Sequence, residues 1–228
     1  MIKIINLIEN DKLWQRKCSI LQKMVYMNLF NRIFNRKKPK QNLFIFIGDM
    51  GTNVLNHLFG EYYEDNYFIA INSDNTHLRE NVKIDEKNKI FIGDKTEYSC
   101  GKRDFESGLD YVKSNRKRII LILKKHPSKH IVLVAGLRYS SASGIIAGIS
   151  DITKKLKPKV TAIVSTPFVA EGQNAFINSS KAIIALNQNV NELIDFSCED
   201  LMRENGGKLL IRDLDNMFLI KITNILNK

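Results

Sequence analysis

The chain has 228 residues, enough for one sizeable domain with an appendage, and its hydrophobic content of 44% is that of a globular protein rather than a disordered one. Its formal net charge is +11, but ten of the 35 basic residues fall within the first 40 positions, where only Glu9 and Asp11 oppose them. Because the positive charge is concentrated there, we do not expect a nucleic-acid partner. Three widely spaced cysteines and four scattered histidines match no metal-binding motif, which excludes the common zinc sites.

Residues 1–40 are predicted to form a basic amphipathic extension. Between Leu13 and Phe34 the apolar residues recur at helical spacing, and Pro39 disfavours further helix. One interpretation is a helix on the flank of the domain with a solvated basic face. The other is an interfacial helix within residues 12–40 that is attracted to an anionic membrane. No apolar run reaches the ~20 residues of a transmembrane helix and no signal peptide is recognisable, so we expect a cytoplasmic protein, peripheral at the membrane under the second interpretation.

From Leu43 onward, short apolar runs alternate with helical patterns. The predicted strands cover 43–47, 67–71, 90–92, 131–135, 159–164 and 192–196. The predicted helices cover 52–58, 104–125, 143–156, 174–187 and about 207 to the end, and Asp104 is a suitable N-cap for the second of them. Strands that are apolar throughout indicate a parallel sheet buried on both faces. We therefore predict an α/β fold for residues 41–228, a Rossmann-like parallel sheet with helices on both faces.

Small and polar residues follow five of the predicted strands, where open parallel sheets bind ligands. Gly48 to Gly51 form a Gly-x-x-Gly turn after the first strand, and Gly136 to Gly144 lead from the fourth strand into a helix. The latter arrangement presents backbone N–H groups to an anion. The same residues also suit turns and helix caps, and Asp74 would suit the ribose of a dinucleotide, so both alternatives stay open. No combination of acid, base and nucleophile stands out, and we predict no catalytic residue.

The order of these loops resembles that of the FtsZ/tubulin superfamily. The segment FIFIGDMGTN is similar to the first loop of FtsZ, with Gly48, Gly51 and Asn53 in matching places. FIAINSD is similar to the family's FIAVNTD, KIFIGDK to KIQIGEK, and TPFVAEG to RPFTFEG. VLVAGLRYSSASG lies where the family has its signature GGGTGTG. The resemblance runs from about Leu43 to the C-terminus and covers only the N-terminal nucleotide-binding domain of that family, so the chain is identified as a divergent FtsZ-like member.

The resemblance implies a site for GTP or GDP with Mg²⁺. In the first loop, Gly48, Gly51 and Asn53 would approach the phosphates and the base edge. Asn72 and Asp74 would lie by the phosphates and the metal, Glu171 would lie near the ribose, and backbone N–H groups of Ser140 to Gly144 would cradle the phosphates. The implied site residues are Gly48, Asp49, Gly51, Thr52, Asn53, Asn72, Asp74, Gly136, Arg138, Ser140, Ser141, Ser143, Gly144 and Glu171.

Several positions depart from the family pattern. Arg138, Tyr139 and Ser140 replace the three leading glycines of the signature, and a glycine can adopt backbone angles that cost other residues about 1–2 kcal/mol. Arg138 would compensate if its guanidinium bonded to a phosphate. Ala175 replaces an arginine of the family, and Cys198 stands where a guanine-reading asparagine is expected.

The C-terminal sequence LLIRDLDNMFLIKITNIL is expected to be the central helix of the family, with the chain ending within or just after it. The loop that activates water on a neighbouring subunit follows that helix in the family, so we expect little or no self-stimulated GTP hydrolysis. The implied partners are FtsZ or a second copy of the chain, in a cytoskeletal filament of cell division or membrane remodelling. The alternative is a degenerate scaffold that binds no nucleotide and associates with membrane or with FtsZ filaments.

Overall fold

The described residues form a six-stranded parallel sheet in the order β3-β2-β1-β4-β5-β6. The computed structural model describes residues 42–58, 66–94, 104–138, 141–156, 158–204, 206 and 211–226. The predicted N-terminal helix within residues 1–40 lies outside the described residues. The strands are β1 (Asn42–Ile47), β2 (Tyr67–Asn72), β3 (Lys89–Phe91), β4 (His130–Gly136), β5 (Lys159–Thr166) and β6 (Glu192–Ser197).

Helices follow the strands and return the chain to the edge at which every strand begins. They are α1 (Gly48–Leu58), α2 (Asn75–Glu80), α3 (Phe105–Lys125), α4 (Ala142–Leu156), α5 (Gln173–Asn189), α6 (Cys198–Glu204) and α7 (Ile211–Leu226). Short 3₁₀ turns lie at Glu86–Asn88 and Val169–Glu171. The predicted α/β sheet is therefore confirmed, with helices on both of its faces.

The central strands alternate between two buried clusters, one on each face of the sheet. In β1, Leu43, Ile45 and Ile47 pack in the cluster that also contains residues of α3, α4 and α5. Phe44 and Phe46 pack on the other face, with side chains of α1, α2 and α7. Because both sides of β1 are covered, the run from Leu43 to Ile47 is apolar throughout, which is the pattern that predicted a parallel sheet.

Close contact between α3 and α4 fixes the start of α4 at the carboxyl edge of the sheet. A Cβ on Gly144 would overlap the backbone carbonyl oxygen of Phe105, and one on Gly108 would overlap that of Ser141. Asp104 caps α3 as predicted, because its Oδ1 accepts a hydrogen bond from the backbone N–H of Ser107 at 2.7 Å. Backbone therefore meets backbone where the two helices begin.

Replacing Gly144 with alanine is expected to lower the free energy of unfolding by about 3 kcal/mol, because the backbone of α3 would have to move. Gly148, one turn later, is the control: a Cβ there would lie 2.9 Å from Cγ1 of Val112, a side chain that can shift. Urea denaturation of both variants checks the prediction. Equal stability of the Gly144→Ala and Gly148→Ala proteins would contradict it.

Candidate functional site

The strand order places a crevice between β1 and β4. The chain leaves β1 on one side of the sheet and β4 on the other, because α1 packs with the cluster of α7 and α4 with that of α3. Ligands of open α/β sheets bind outside the carboxyl ends of the strands at such a reversal of order. The segments that meet here are the first residues of α1, Gly48 and Asp49, and, after β4, Leu137, Arg138 and Ser141. Tyr139 and the predicted site residue Ser140 lie outside the described residues.

The turn from β1 into α1 needs a glycine. Gly48 has φ 71°, in the left-handed region that favours glycine, and is buried. The Thr52 hydroxyl lies 2.9 Å from the carbonyl oxygen of Gly48 and 3.0 Å from that of Asp49, and so fastens the first turn of the helix. Asp49 is exposed at the mouth of the crevice, and Asn53 is half-buried one turn further along α1.

The end of β2 is joined to this turn through side chains. Asn72 donates a hydrogen bond from Nδ2 to Oδ1 of Asp49 at 2.9 Å, and its own Oδ1 accepts from the backbone N–H of Asp74 at 3.0 Å. Asp74 caps α2 by accepting from the backbone N–H of His77 at 2.9 Å. The Asp74 carboxylate thus has a capping role, while the Asp49 carboxylate remains at the surface of the crevice.

His77, which the sequence analysis did not select, belongs to the same network. Its Nε2 lies 3.0 Å from the Thr52 hydroxyl oxygen, and its Nδ1 lies 3.9 Å from Oδ1 of Asp49. The tautomer of the imidazole decides whether Nε2 of His77 or the Thr52 hydroxyl donates this hydrogen bond. A signal for this residue was available: His77 lies three positions after an aspartate that ends a strand, which places it in the first turn of a capped helix.

The start of α4 brings two buried serines, Ser141 and Ser143, to the crevice. The hydroxyl of Ser141 shares a hydrogen bond of 2.8 Å with that of Ser73, which follows β2. Ser143 is fully buried, and its hydroxyl has no hydrogen-bond partner among the residues that the structure describes. Buried hydroxyls almost always have a partner, so an unpaired one beside a helix N-terminus is a marker of a ligand position.

Arg138 reaches across the crevice to the loop after β5. Its Nε donates to Oε1 of Glu171 at 2.5 Å, and its guanidinium carbon lies 5.1 Å from the centre of the Phe168 ring. The Glu171 side chain is only 8% exposed and that of Arg138 29%. The arginine that replaces a signature glycine therefore links the loop after β4 to the loop after β5.

Three other predicted site glycines have packing reasons for their small size. A Cβ on Gly51 would lie 2.8 Å from the carbonyl oxygen of Val134, which is how α1 approaches the sheet. A Cβ on Gly136 would lie 2.6 Å from Sδ of Met50, and Gly144 faces α3 as described above. Their roles as phosphate contacts remain predictions.

Cys198 does not offer a polar group to a ligand. The thiol is fully buried at the start of α6, and burial raises its pKa to about 11, so it stays protonated at neutral pH. A guanine-reading asparagine was expected at this position from the resemblance. The structure instead buries a small neutral side chain there.

A buried carboxyl that the sequence analysis missed lies on α7. Asp215 is 9% exposed, and its Oδ1 has no hydrogen-bond partner among the described residues. Desolvation raises the pKa of this carboxyl, and attraction to His57 of α1 offsets part of the rise. His57 and Asn53 are four residues apart in α1 and so share a face. Asp215 therefore lies near the face of α1 that carries Asn53.

The crevice thus combines polar groups from four loops, but it is not a preformed metal centre. Among the residues that the structure describes, no three His, Cys, Asp or Glu side chains gather as a set of metal ligands.

No helix in the described ranges combines the length and the apolar character that crossing a bilayer requires.

Comparisons with known proteins agree with this architecture. A family model described as "Tubulin/FtsZ family, GTPase domain" matches residues 24–205. The cell division protein FtsZ of Buchnera aphidicola subsp. Acyrthosiphon pisum is 28% identical over 157 residues, which are 69% of this chain and 40% of that protein. FtsZ 1 of Methanocaldococcus jannaschii is 26% identical over 68% of this chain and 41% of its own length.

Solved structures show the same likeness of fold. A mutant FtsZ from M. jannaschii aligns with a TM-score of 0.73 and 22% identity, over 90% of this chain and 59% of that one. The chain thus spans between two fifths and three fifths of the relatives described here. Because the family model matches most of the chain, from residue 24 to residue 205, the protein belongs to the Tubulin/FtsZ family and contains its GTPase domain.

Proposed function

We propose that the crevice between β1 and β4 binds a guanine nucleotide, with its phosphates at the start of α4. The unpaired, fully buried hydroxyl of Ser143 carries this proposal. It lies at the N-terminal end of a helix of 15 residues, where backbone N–H groups and the helix dipole favour an anion. A phosphate oxygen would accept the hydrogen bond that Ser143 does not make within the described protein.

Asp215 and Asn53 are the proposed readers of the base. Guanine presents N1–H and N2–H₂ as neighbouring donors, and a carboxylate accepts from both. Asp215 has a buried oxygen without a described partner, on the side of α1 that carries Asn53. Adenine offers an acceptor at N1, so a carboxylate here would discriminate against ATP.

We propose that magnesium binds at this site only together with the nucleotide. Mg²⁺ is commonly held by one or two carboxylates plus substrate phosphates, with water completing its octahedron. Asp49 and Asp74, at the ends of β1 and β2, are the proposed carboxylates, and Asn72 orients Asp49 through its hydrogen bond. The ion would neutralise phosphate charge near these acidic side chains.

The cellular role that we propose is participation in filaments of a dividing cell. The relatives are named as cell division proteins, and solved relatives include a protofilament of TubZ from Bacteriophage PhiKZ. The filament partner would be FtsZ or a second copy of this chain. Sedimentation of FtsZ polymers with and without the protein tests this role, and unchanged polymer amount and length would contradict it.

Calorimetric titration of the full chain with GTP, GDP and ATP in the presence of magnesium tests the nucleotide proposal. Micromolar binding of GTP and GDP without binding of ATP is the expected result. Absence of binding to all three would overturn the proposal and favour a scaffold that binds no nucleotide.

Ser143→Ala should weaken GTP binding about tenfold while leaving the free energy of unfolding unchanged or slightly higher, since removing an unpaired buried hydroxyl removes a desolvation cost. Ser150 is the matched control on the same helix: its hydroxyl donates to the carbonyl oxygen of Ala147 and accepts from Nδ2 of Asn189. Ser150→Ala should reduce stability and spare GTP affinity. Equal effects of the two variants on GTP affinity would show that Ser143 does not contact the nucleotide.

A further inference from the structure

Lysines are concentrated at the end of the sheet opposite the candidate nucleotide site. All six strands are parallel, so the loops that lead from helices back into strands meet at one edge. The residues in and immediately around two of these loops, α3 to β4 and α4 to β5, are rich in lysine. We define the lysine end as Lys124, Lys125, Lys129, Lys154, Lys155 and Lys159.

Few carboxylates neutralise the lysine end. Lys155 pairs with Asp151 at 2.8 Å, and Lys159 lies 3.7 Å from Glu192. By contrast, Lys124, Lys125 and Lys129 form no ion pair with any residue in the described ranges, and all three are exposed. Cations near the C-termini of α3 and α4 are stabilised by the helix dipoles, but Lys129 and Lys159 lie outside both helices. The positive charge of the lysine end is therefore larger than stabilisation of the two helix C-termini requires.

Apolar side chains are exposed beside these lysines. A cleft of about 480 Å³ lies between the two loops, with Leu123, Ile131 and Leu156 among its apolar lining and Lys124 and Lys129 among its charged lining. Leu156 is 38% exposed, and Leu121, one turn before Lys125 in α3, is 60% exposed. Lysines around exposed leucines are the combination by which peripheral proteins bind a bilayer surface.

We propose that the lysine end binds the surface of an anionic phospholipid membrane. Its six cations are all lysines, compact charges that suit diffuse attraction to headgroups rather than the forked recognition that arginine provides. An acidic polypeptide would use the charges but gain little from Leu121 and Leu156. The proposal does not depend on nucleotide binding, and it leaves the carboxyl edge of the sheet directed away from the bilayer.

Vesicle co-sedimentation of the full chain tests the proposal. The vesicles contain equal parts of phosphatidylcholine and phosphatidylglycerol, with pure phosphatidylcholine for comparison. The triple variant Lys124→Glu, Lys125→Glu and Lys129→Glu should bind the mixed vesicles at least about tenfold more weakly, because each lysine near an anionic surface contributes to binding. Residues 1–40 are identical in all the proteins compared, so the predicted basic extension contributes equally.

The control has the same net charge, with Lys113→Glu, Lys181→Glu and Arg203→Glu at exposed positions nearer the carboxyl edge of the sheet. It should bind within twofold of the unaltered protein, and thermal unfolding checks that both triple variants fold. A Lys→Gln version of the lysine-end variant should give a smaller loss of the same sign. Equal loss in the two Glu variants, or no loss in the lysine-end variant, would overturn the proposal.

A second comparison separates a membrane from other anions. Leu121→Ser with Leu156→Ser should reduce vesicle binding several-fold and leave any binding of polyglutamate unchanged. Glycerol phosphate at millimolar concentration should not displace the vesicles, since a single headgroup engages few of the lysines. Binding of polyglutamate without binding of vesicles, or displacement by glycerol phosphate, would overturn the membrane assignment.

Discussion

Asp215→Asn is expected to stabilise the protein and, at the same time, to weaken its binding of GTP about tenfold to hundredfold. The carboxyl is 9% exposed and has one oxygen without a described partner, so its ionised form is costly to bury. Asparagine keeps the shape and removes the charge, which should raise the free energy of unfolding by about 1 kcal/mol at neutral pH. A stabilising substitution that impairs binding is the signature of a group retained for its ligand.

The pH dependence of this stability difference follows from the sign of the pKa shift. Burial raises the pKa of Asp215 in the folded protein above the unfolded value of about 4. The folded state therefore holds the proton to higher pH than the unfolded state does. Asp215 therefore destabilises the folded protein least below the unfolded pKa, where the carboxyl is protonated in both states. The destabilisation grows as the pH rises and reaches its full size above the folded pKa. The advantage of the asparagine variant should accordingly grow above pH 4 and then level off.

Urea denaturation from pH 4 to 8 and calorimetry with GTP measure the two effects. Asp213→Asn, two residues earlier in α7, is the control and should change GTP affinity less than twofold. A guanine-reading carboxylate also predicts that Asp215→Asn loses most of its preference for GTP over ATP, because an amide both donates and accepts. Lower stability in the asparagine variant, or undiminished selectivity, would contradict the assignment.

The sheet could be predicted because its strands obey a simple rule. Side chains of β1 and β4 are buried on both faces, so the run Leu43 to Ile47 is apolar throughout and is recognisable without alignment. The N-cap Asp104 was likewise predictable from its position before a helical pattern. The short helices α2 and α6 were not predicted, since six or seven residues are too few to display a period and α2 buries only Leu78.

The candidate site was harder to predict because its residues also serve the fold. Gly51 and Gly144 suit a phosphate loop by pattern, yet the structure gives each a reason in packing. His77 carries no motif, and its contact with Thr52 depends on the joining of two loops through Asn72. Asp215 had a signal that was overlooked: it lies three residues before the buried Phe218, within the stripe that faces the core. An acidic residue inside an apolar stripe indicates either an error in the assigned face or a function.

Arg138→Ala is expected to lower the affinity for GTP about tenfold or more and to destabilise the protein. Acidic side chains surround the proposed phosphate site, including Asp49, Asp74 and Glu171. Arg138 is the one lysine or arginine that the structure describes in the loops immediately following β1 to β5. A triphosphate entering this crevice needs that charge, and a charge-assisted bond from a guanidinium is worth about 1.5–3 kcal/mol. Lysine at 138 should retain part of the affinity, since it keeps the charge and loses the planar fork.

The loss of stability in Arg138→Ala has a different cause from the loss of GTP affinity, and a double variant distinguishes the two effects. Removing Arg138 leaves the nearly buried Glu171 carboxylate without its guanidinium, which should cost about 3 kcal/mol because the arginine itself is partly exposed. Adding Glu171→Gln to Arg138→Ala removes the buried charge, so stability should recover in urea denaturation, whereas the affinity for GTP should stay low because no cation has returned. If Arg138→Ala instead bound GTP more tightly than the unaltered protein, the ion pair with Glu171 would be a barrier that closes the crevice. The decrease that we expect would mean that an arginine in the loop after β4 supplies positive charge to the phosphates, at a position where the family signature has glycine.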